Sequence, residues 1–214
     1  MKKTGAVSLL TLLSTMAVVF LGCSSTGPSN TTPPANPGNV MHWTTPPPME
    51  IDQDKQYTAT IKTNMGDIVL QLFPKDAPLA VNNFVFLARQ GFYNGVKFHR
   101  AVKGFVIQTG DPTGTGSGGP GYTFADEKVT RDYVAGTLAM ANAGPNTNES
   151  QFFIALDNLS GRLPKKYSIF GIVTGGFDIV QKIGDVPVKV NPLSGENSLP
   201  TVDVHIDSIS IAEE

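Results

Sequence analysis

YTATIKTNMGDIVLQLF, residues 57–73, is the stretch on which the reading of the fold turns. Tyr57, Ala59 and Ile61 alternate with polar neighbours, as they must where successive side chains of a strand leave on opposite faces. Asn64-Met65-Gly66-Asp67 has turn chemistry and Ile68 to Phe73 reads as the return strand, so the stretch is a β-hairpin. Directly after it, Asp76 is placed to cap a helix that carries Pro78 in its first turn. Ala80, Phe84, Leu87 and Ala88 share one face of that helix, and Gly91 is placed to stop it. Further strands are expected over 104–108, 137–141, 151–154, 168–173 and 201–206. In the last of these, Val202, Val204 and Ile206 alternate with polar residues. A second short helix fits Phe177 to Ile183, ended by Gly184. Many strands and only two helices disfavour a βαβ fold and point to an all-β architecture. The expected form is a closed or nearly closed antiparallel barrel with helices over its ends.

Composition limits what such a domain can do. The chain has 214 residues and a formal net charge of −2, enough for one globular domain with a real core. Near-balanced charge offers no basic surface for a phosphate backbone, so no nucleic-acid partner is expected. A single cysteine, Cys23, allows no internal disulfide. His42, His99 and His205 are too far apart in sequence to read as metal ligands.

The amino terminus reads as an export signal. Lys2 and Lys3 precede an apolar run over 6–21 that is too short for a comfortable membrane span. Phe20-Leu21-Gly22-Cys23 resembles the bacterial lipobox, in which the cysteine becomes the lipidated (palmitate-bearing) first residue of the mature protein. The competing readings are a plain cleaved signal peptide and a short uncleaved anchor. The expected organisation is therefore a signal peptide over 1–22 with lipidation at Cys23, a Pro-rich tether over 23–50, and a folded domain over 51–214. Removing residues 1–22 takes away two lysines and no acid, which moves the net charge from −2 to −4. The tether holds seven of the 16 prolines and no charged residue before Glu50, a composition that runs extended. Trp43, the only tryptophan, reads there as a linker aromatic that neither packs on the domain nor meets a partner.

Several motifs invite other activities. DPTGTGSGGPG, residues 111–121, lacks the Gly-Lys-Ser/Thr ending of a P-loop and reads as a flexible surface loop. Asn148 and Asn158 begin Asn-x-Ser matches that an export signal of the lipobox type makes incidental. No serine elbow is present, so hydrolysis has weak support. Residues 192–200 read as a loop without assigned use.

FHRAVKGFVIQTGD, residues 98–111, and GTLAMANAGPNTNESQFFI, residues 136–154, resemble the two signature blocks of the cyclophilin family of peptidyl-prolyl isomerases. The likeness extends over 57–211 and includes LPKKYSIFGIV at 163–173. It implies a closed eight-stranded antiparallel barrel capped by two helices, and the activity of accelerating rotation about X-Pro bonds. Arg100 matches the family's catalytic arginine, with Phe105 and Gln108 beside it in the motif. Val106, Phe153 and Leu163 match positions lining the proline pocket together with Phe105. Gln108, Ala141, Asn142 and Gln151 match positions that grip the substrate backbone, and Tyr167 stands at a pocket edge often held by histidine. Val106 replaces a common methionine. Arg162 stands where members that bind cyclosporin tightly have tryptophan, which implies weak binding of that drug.

These residue types suit the chemistry. The X-Pro amide resists rotation through delocalisation of the nitrogen lone pair, with a barrier of about 18–20 kcal/mol. Twisting localises that lone pair, and a fixed guanidinium then has an acceptor that the planar ground state denies it. Apolar side chains hold the pyrrolidine ring while the acyl side rotates. His99, next to Arg100 on an extended segment, points the other way and reads as a satisfied structural histidine. No proton moves, and neither cofactor nor metal is expected. The reading that follows is a monomeric, lipid-anchored, extracytoplasmic isomerase of the cell envelope, acting on proline-containing, unfolded or partly folded exported proteins. The alternatives are a proline-binding holdase without turnover and an envelope adhesion protein.

Overall fold

The structure, a computed structural model, describes residues 41–214. The expected signal segment and Cys23 lie outside the described residues. Strands β1 (Tyr57–Thr63) and β2 (Gly66–Leu72) form the predicted hairpin. Its corner is Asn64-Met65, and Gly66 pairs with Thr63, so β2 starts two residues earlier than the apolar pattern suggested. Helix α1 (Pro78–Arg89) follows, then β3 (Arg100–Val102), β4 (Val106–Thr109), β5 (Thr137–Met140), β6 (Phe152–Ala155) and β7 (Ile169–Gly175). Helix α2 (Phe177–Gly184), a small hairpin of β8 (Val188–Val190) and β9 (Asn197–Pro200), and β10 (Ile206–Glu213) complete the chain.

Eight strands join into one antiparallel sheet in the order β10-β1-β2-β7-β5-β6-β4-β3. The closed barrel expected from the sequence is corrected here, because the sheet curls but no ladder joins its edges β10 and β3. Strand β3 is three residues long and has β9 packed against it, which leaves little free edge for a ladder. The gap is bridged by the segment ahead of β3, which bonds to the start of β10 and to the chain just ahead of it: Gly95 N–H donates to Ile206 O at 2.7 Å and Ile206 N–H to Val96 O at 2.9 Å. Lys97 and His205 form an isolated bridge, and Phe98 N–H donates to Val204 O at 2.9 Å. Helix α1 packs against β10 and β7, and α2 against β2, β3 and β4. Inside the curl, Phe84 of α1 meets Tyr93, Phe152 and Phe170 at ring separations of 5.4–5.5 Å. These rings are shut off from solvent together with Ile61, Ile68, Leu70 and Ile107, the alternate positions of their strands.

The last strand begins five residues later than expected, Val202 of the expected alternation being exposed, and a bulge opposite Lys62 and Thr63 interrupts its period. Ile206 and Ile209, three apart, both turn inward, a spacing that strict alternation does not anticipate. Helix α1 is not capped by Asp76. Its N-terminal N–H groups at Leu79 and Ala80 donate to the carboxylate of Glu127, at 2.7 and 3.0 Å, while Asp76 accepts from Arg131 Nε at 2.6 Å.

The end of the stretch expected as tether is packed. Trp43 N–H donates to Pro120 O at 2.8 Å, and its ring lies 5.3 Å from Phe86 and 5.9 Å from Phe92. Asn82 of α1 accepts from Glu50 N–H at 2.8 Å and donates to Pro48 O at 2.9 Å, which straps this segment along the helix. Trp43 is therefore a packing residue rather than an idle aromatic.

Gly184 closes α2 where a Cβ would stand 2.5 Å from Leu156 Cδ1. In an open helix Gly→Ala stabilises by up to about 1 kcal/mol, but overpacking costs about 1–3 kcal/mol. Gly184→Ala is accordingly expected to lower the denaturant midpoint with an unchanged slope; a raised midpoint would mean that Leu156 swings aside.

Candidate active site

The site is built by strand register on the face of the sheet away from the aromatic core. Arg100 in β3 pairs with Gln108 in β4, Gln108 with Phe153 in β6, and Phe153 with Ala139 in β5. Cross-strand partners share a face, so the guanidinium, the amide and the ring stand in one row. The β3–β4 turn that sets this register passes through Gly104 at φ 66°. Phe152 points inward and Phe153 outward, as alternation requires. On the outer face Val106, Tyr133, Ala139, Phe153, Leu159 and Ile169 form a second small apolar cluster, against which Phe105, Leu163 and Tyr167 pack.

Within this face lies a cavity of about 360 Å³ lined by Arg100, Phe105, Val106, Gln108, Ala141, Asn142, Phe153, Leu163 and Tyr167. Nine of the ten site residues expected in the domain thus meet in one slot. Gln151 is the exception and stands behind it: its Oε1 accepts from Gln108 Nε2 at 3.0 Å, and its Nε2 donates to Gly116 O and Gly118 O at 3.1 and 3.0 Å. Tyr167 meets Phe153 edge-on at 5.7 Å, which stiffens the floor. Phe105 is approached by two guanidinium groups, Arg100 at 5.6 Å and Arg162 at 5.9 Å. Asn142 ties the rim to the neighbouring loop, its Nδ2 donating to Lys166 O at 3.0 Å. A separate, more open depression of about 410 Å³, between Gln53 and Arg131, shares no residue with this slot.

One residue of the site went unnoticed in the sequence. Glu196, in the segment read as a loop without use, accepts from Arg100 Nε at 2.6 Å and from Arg100 Nη2 at 2.9 Å. Arg100 Nη1 makes the longer contact to Gln108 Oε1, at 3.4 Å. These Arg100 hydrogen bonds hold the Glu196 carboxyl below its ordinary range against the opposing pull of burial. No spacing rule links residues 96 apart, and only the packing of β9 on β3 brings the two together.

The glycine-rich loop is ordered around an acid rather than loose. Asp111, fully buried, accepts from Thr113 N–H at 2.7 Å, Gly116 N–H at 2.6 Å and Ser117 N–H at 3.1 Å. Burial pushes this carboxyl up, but the surrounding donors outweigh it and leave its pKa below the ordinary value. His99 is buried beneath the same loop, with neither ring nitrogen hydrogen-bonded among the described residues, so the expectation of a satisfied histidine is corrected. Burial lowers its pKa and favours the neutral ring.

An apolar slot of this size, with one cation and two amides on its rim, has the make-up of a small-ligand site. Residues 58–211 match the family described as cyclophilin type peptidyl-prolyl cis-trans isomerase/CLD. The probable peptidyl-prolyl cis-trans isomerase A of Mycobacterium leprae is 46% identical over 176 residues, covering 72% of this chain and 92% of that protein. The mouse peptidylprolyl isomerase domain and WD repeat-containing protein 1 is 48% identical over 159 residues, and the match covers 72% of this chain and only 24% of that longer protein. A crystal structure of a Cryptosporidium parvum cyclophilin type isomerase in the presence of the dipeptide Ala-Pro superposes with a TM-score of 0.67 at 38% identity, covering 73% of this chain and 99% of that one. The chain belongs to the cyclophilin-type peptidyl-prolyl cis-trans isomerase family.

Asp111→Asn is expected to lower stability at neutral pH by about 1–3 kcal/mol, the cost of leaving buried donors poorly matched. Because the folded pKa of Asp111 lies below the unfolded one, its contribution is whole above the unfolded value and is lost as pH falls through the folded value. Denaturation midpoints from pH 7 down to pH 2 should therefore fall less steeply in the variant than in the parent; parallel curves would remove Asp111 from the account of acid lability.

Proposed function

We propose that this protein accelerates cis/trans rotation about X-Pro bonds of exported polypeptides at a membrane surface, held there by a lipid on Cys23. The observation that carries the catalytic part is the placement of the Arg100 guanidinium at the rim of the slot formed by Phe105, Val106, Phe153 and Leu163. The pyrrolidine ring lies in that slot. Gln108, Ala141 and Asn142 face the backbone on either side of the bond, with Gln151 supporting Gln108 from behind. As the amide twists, its nitrogen lone pair localises and accepts a hydrogen bond from Arg100. The planar amide offers Arg100 little, so the interaction is strongest in the transition state and lowers the barrier rather than merely tightening binding. Tyr167 closes the edge of the slot over the residue next to proline.

A slot that grips only a ring and backbone accepts many peptides, which suits a helper of unfolded or partly folded chains. The lipobox-like Phe20-Leu21-Gly22-Cys23 supports the envelope location. Labelling with an alkynyl fatty acid should mark the protein and fail to mark Cys23→Ser. A proline-binding holdase would share the slot but not the turnover.

The deciding experiment is the exchange rate of an Ala-Pro peptide measured by NMR with and without the protein. Arg100→Ala is expected to reduce the acceleration by about 100-fold or more, the scale seen when one transition-state donor is removed. No acceleration by the folded, unsubstituted protein would overturn the enzymatic reading and leave the holdase.

A further inference from the structure

We propose that Glu196, carried by the β8–β9 hairpin, is a positioning residue that sets the orientation of the Arg100 guanidinium toward the proline slot. The inference rests on the isomerase reading above and adds to it a residue outside both signature blocks. Arginine has a long side chain with many rotamers, and its use as a directional donor requires that one of them be held. Gln108 alone does not hold it, since that contact is 3.4 Å long. Glu196 engages the Nε–Nη2 edge with two short bonds, a fork-on-fork geometry that fixes both direction and plane. Nη1 and Nη2 each keep a further N–H for the substrate.

The backbone that carries the carboxylate is itself held. Asn191 N–H donates to Glu196 O at 2.7 Å and Gly195 N–H to Asn191 O at 2.8 Å, which closes the hairpin tip with Gly195 at φ 72°. Below the tip, Lys189 pairs with Leu199, and β9 lies against β3, the strand that bears Arg100. Ser198 of β9 is fully buried, so the hairpin is seated on the domain rather than waving beside it. The two side chains are 26% and 37% exposed. A partly exposed ion pair adds little to stability, so its consequence falls on geometry.

The test compares Glu196→Ala, Glu196→Gln and, as a control on the same hairpin, Val190→Ser, whose parent side chain is exposed and does not line the slot. All are made in the full chain and assayed for kcat and KM on one Ala-Pro peptide, beside the NMR signal of the Arg100 Nε–H. Glu196→Ala should lower kcat about tenfold with KM within about twofold, a loss of alignment rather than of binding. Glu196→Gln, with one acceptor oxygen left, should fall between. Val190→Ser should match the parent. The Nε–H signal, protected in the parent, should exchange rapidly with water in Glu196→Ala. An unchanged or raised kcat in Glu196→Ala, with the parent active, would overturn the inference alone and make the carboxylate idle or restraining. An equal kcat loss in Val190→Ser would reduce Glu196 to a part of the hairpin's stability. An inactive parent would overturn this inference together with the reading on which it rests.

Discussion

The register of β3 on β4 is the constraint on which the site depends. Arg100 faces Gln108 and Gln108 faces Phe153 because two ladders are aligned residue by residue. A slip of one residue in β4 would turn Gln108 into the aromatic core and bring Ile107 out to the slot. Such a slip is costly in both directions, since it buries an amide without partners and exposes a residue that is now fully sequestered. The core thus enforces the register, and the register assembles the slot. The same alternation that hides Phe152 presents Phe153, so stability and binding are two faces of one strand.

From that row a line of polar contacts runs outward on both sides. Glu196 holds Arg100, Arg100 reaches Gln108, and Gln108 donates to Gln151, which donates into the glycine-rich loop that Asp111 organises. Each polar group along the line has a partner, which is the condition under which such a network stiffens a site instead of weakening it. The loop that resembles a phosphate cradle is therefore a buttress. Its glycines let backbone N–H groups converge on a carboxylate of the protein's own. Gly118 shows why side chains are excluded there, for a Cβ at that position would collide with Asp111 and with Thr113.

Much of this was legible in the sequence, and the limits follow the range of the interactions involved. The first hairpin, both helices and the strands β4, β5, β6 and β7 rest on local periodicity and came through with small shifts at their ends, while β3, three residues long, was not anticipated. Local rules failed where distant partners intervened. Glu127 caps α1 from 48 residues beyond Leu79, displacing the nearer Asp76, and a bulge hides the period of β10. Strands β8 and β9 escaped notice because three- and four-residue strands flanked by prolines and glycine have too few positions to show a period. Glu196 was lost with them. Nine of the ten residues expected at the site in the domain line the slot. Gln151 shares its strand environment but is turned toward the loop, a distinction that depends on side-chain hydrogen bonds and not on spacing. Closure of the barrel was likewise beyond the sequence, since the brevity of β3 and the seating of β9 beside it are consequences of tertiary packing.

The pairing of Arg100 with Glu196 also bears on what kind of donor the slot requires. What the carboxylate changes is freedom and solvation. An unpaired arginine at the rim would be hydrated and mobile, and would have to shed water and rotamer entropy each time a peptide twisted beneath it. Paired on one edge, it would meet the substrate of the proposed reaction already oriented, although part of its field is cancelled by the opposing charge. The reaction tolerates that cancellation because the planar and twisted amides differ in the direction and availability of a lone pair, not in net charge. For such a difference an aimed donor discriminates, since only the twisted amide presents the nitrogen lone pair that it can reach. In the proposed mechanism the apolar floor of Val106, Phe153 and Leu163 serves the same end, by fixing the ring against which the twist is measured.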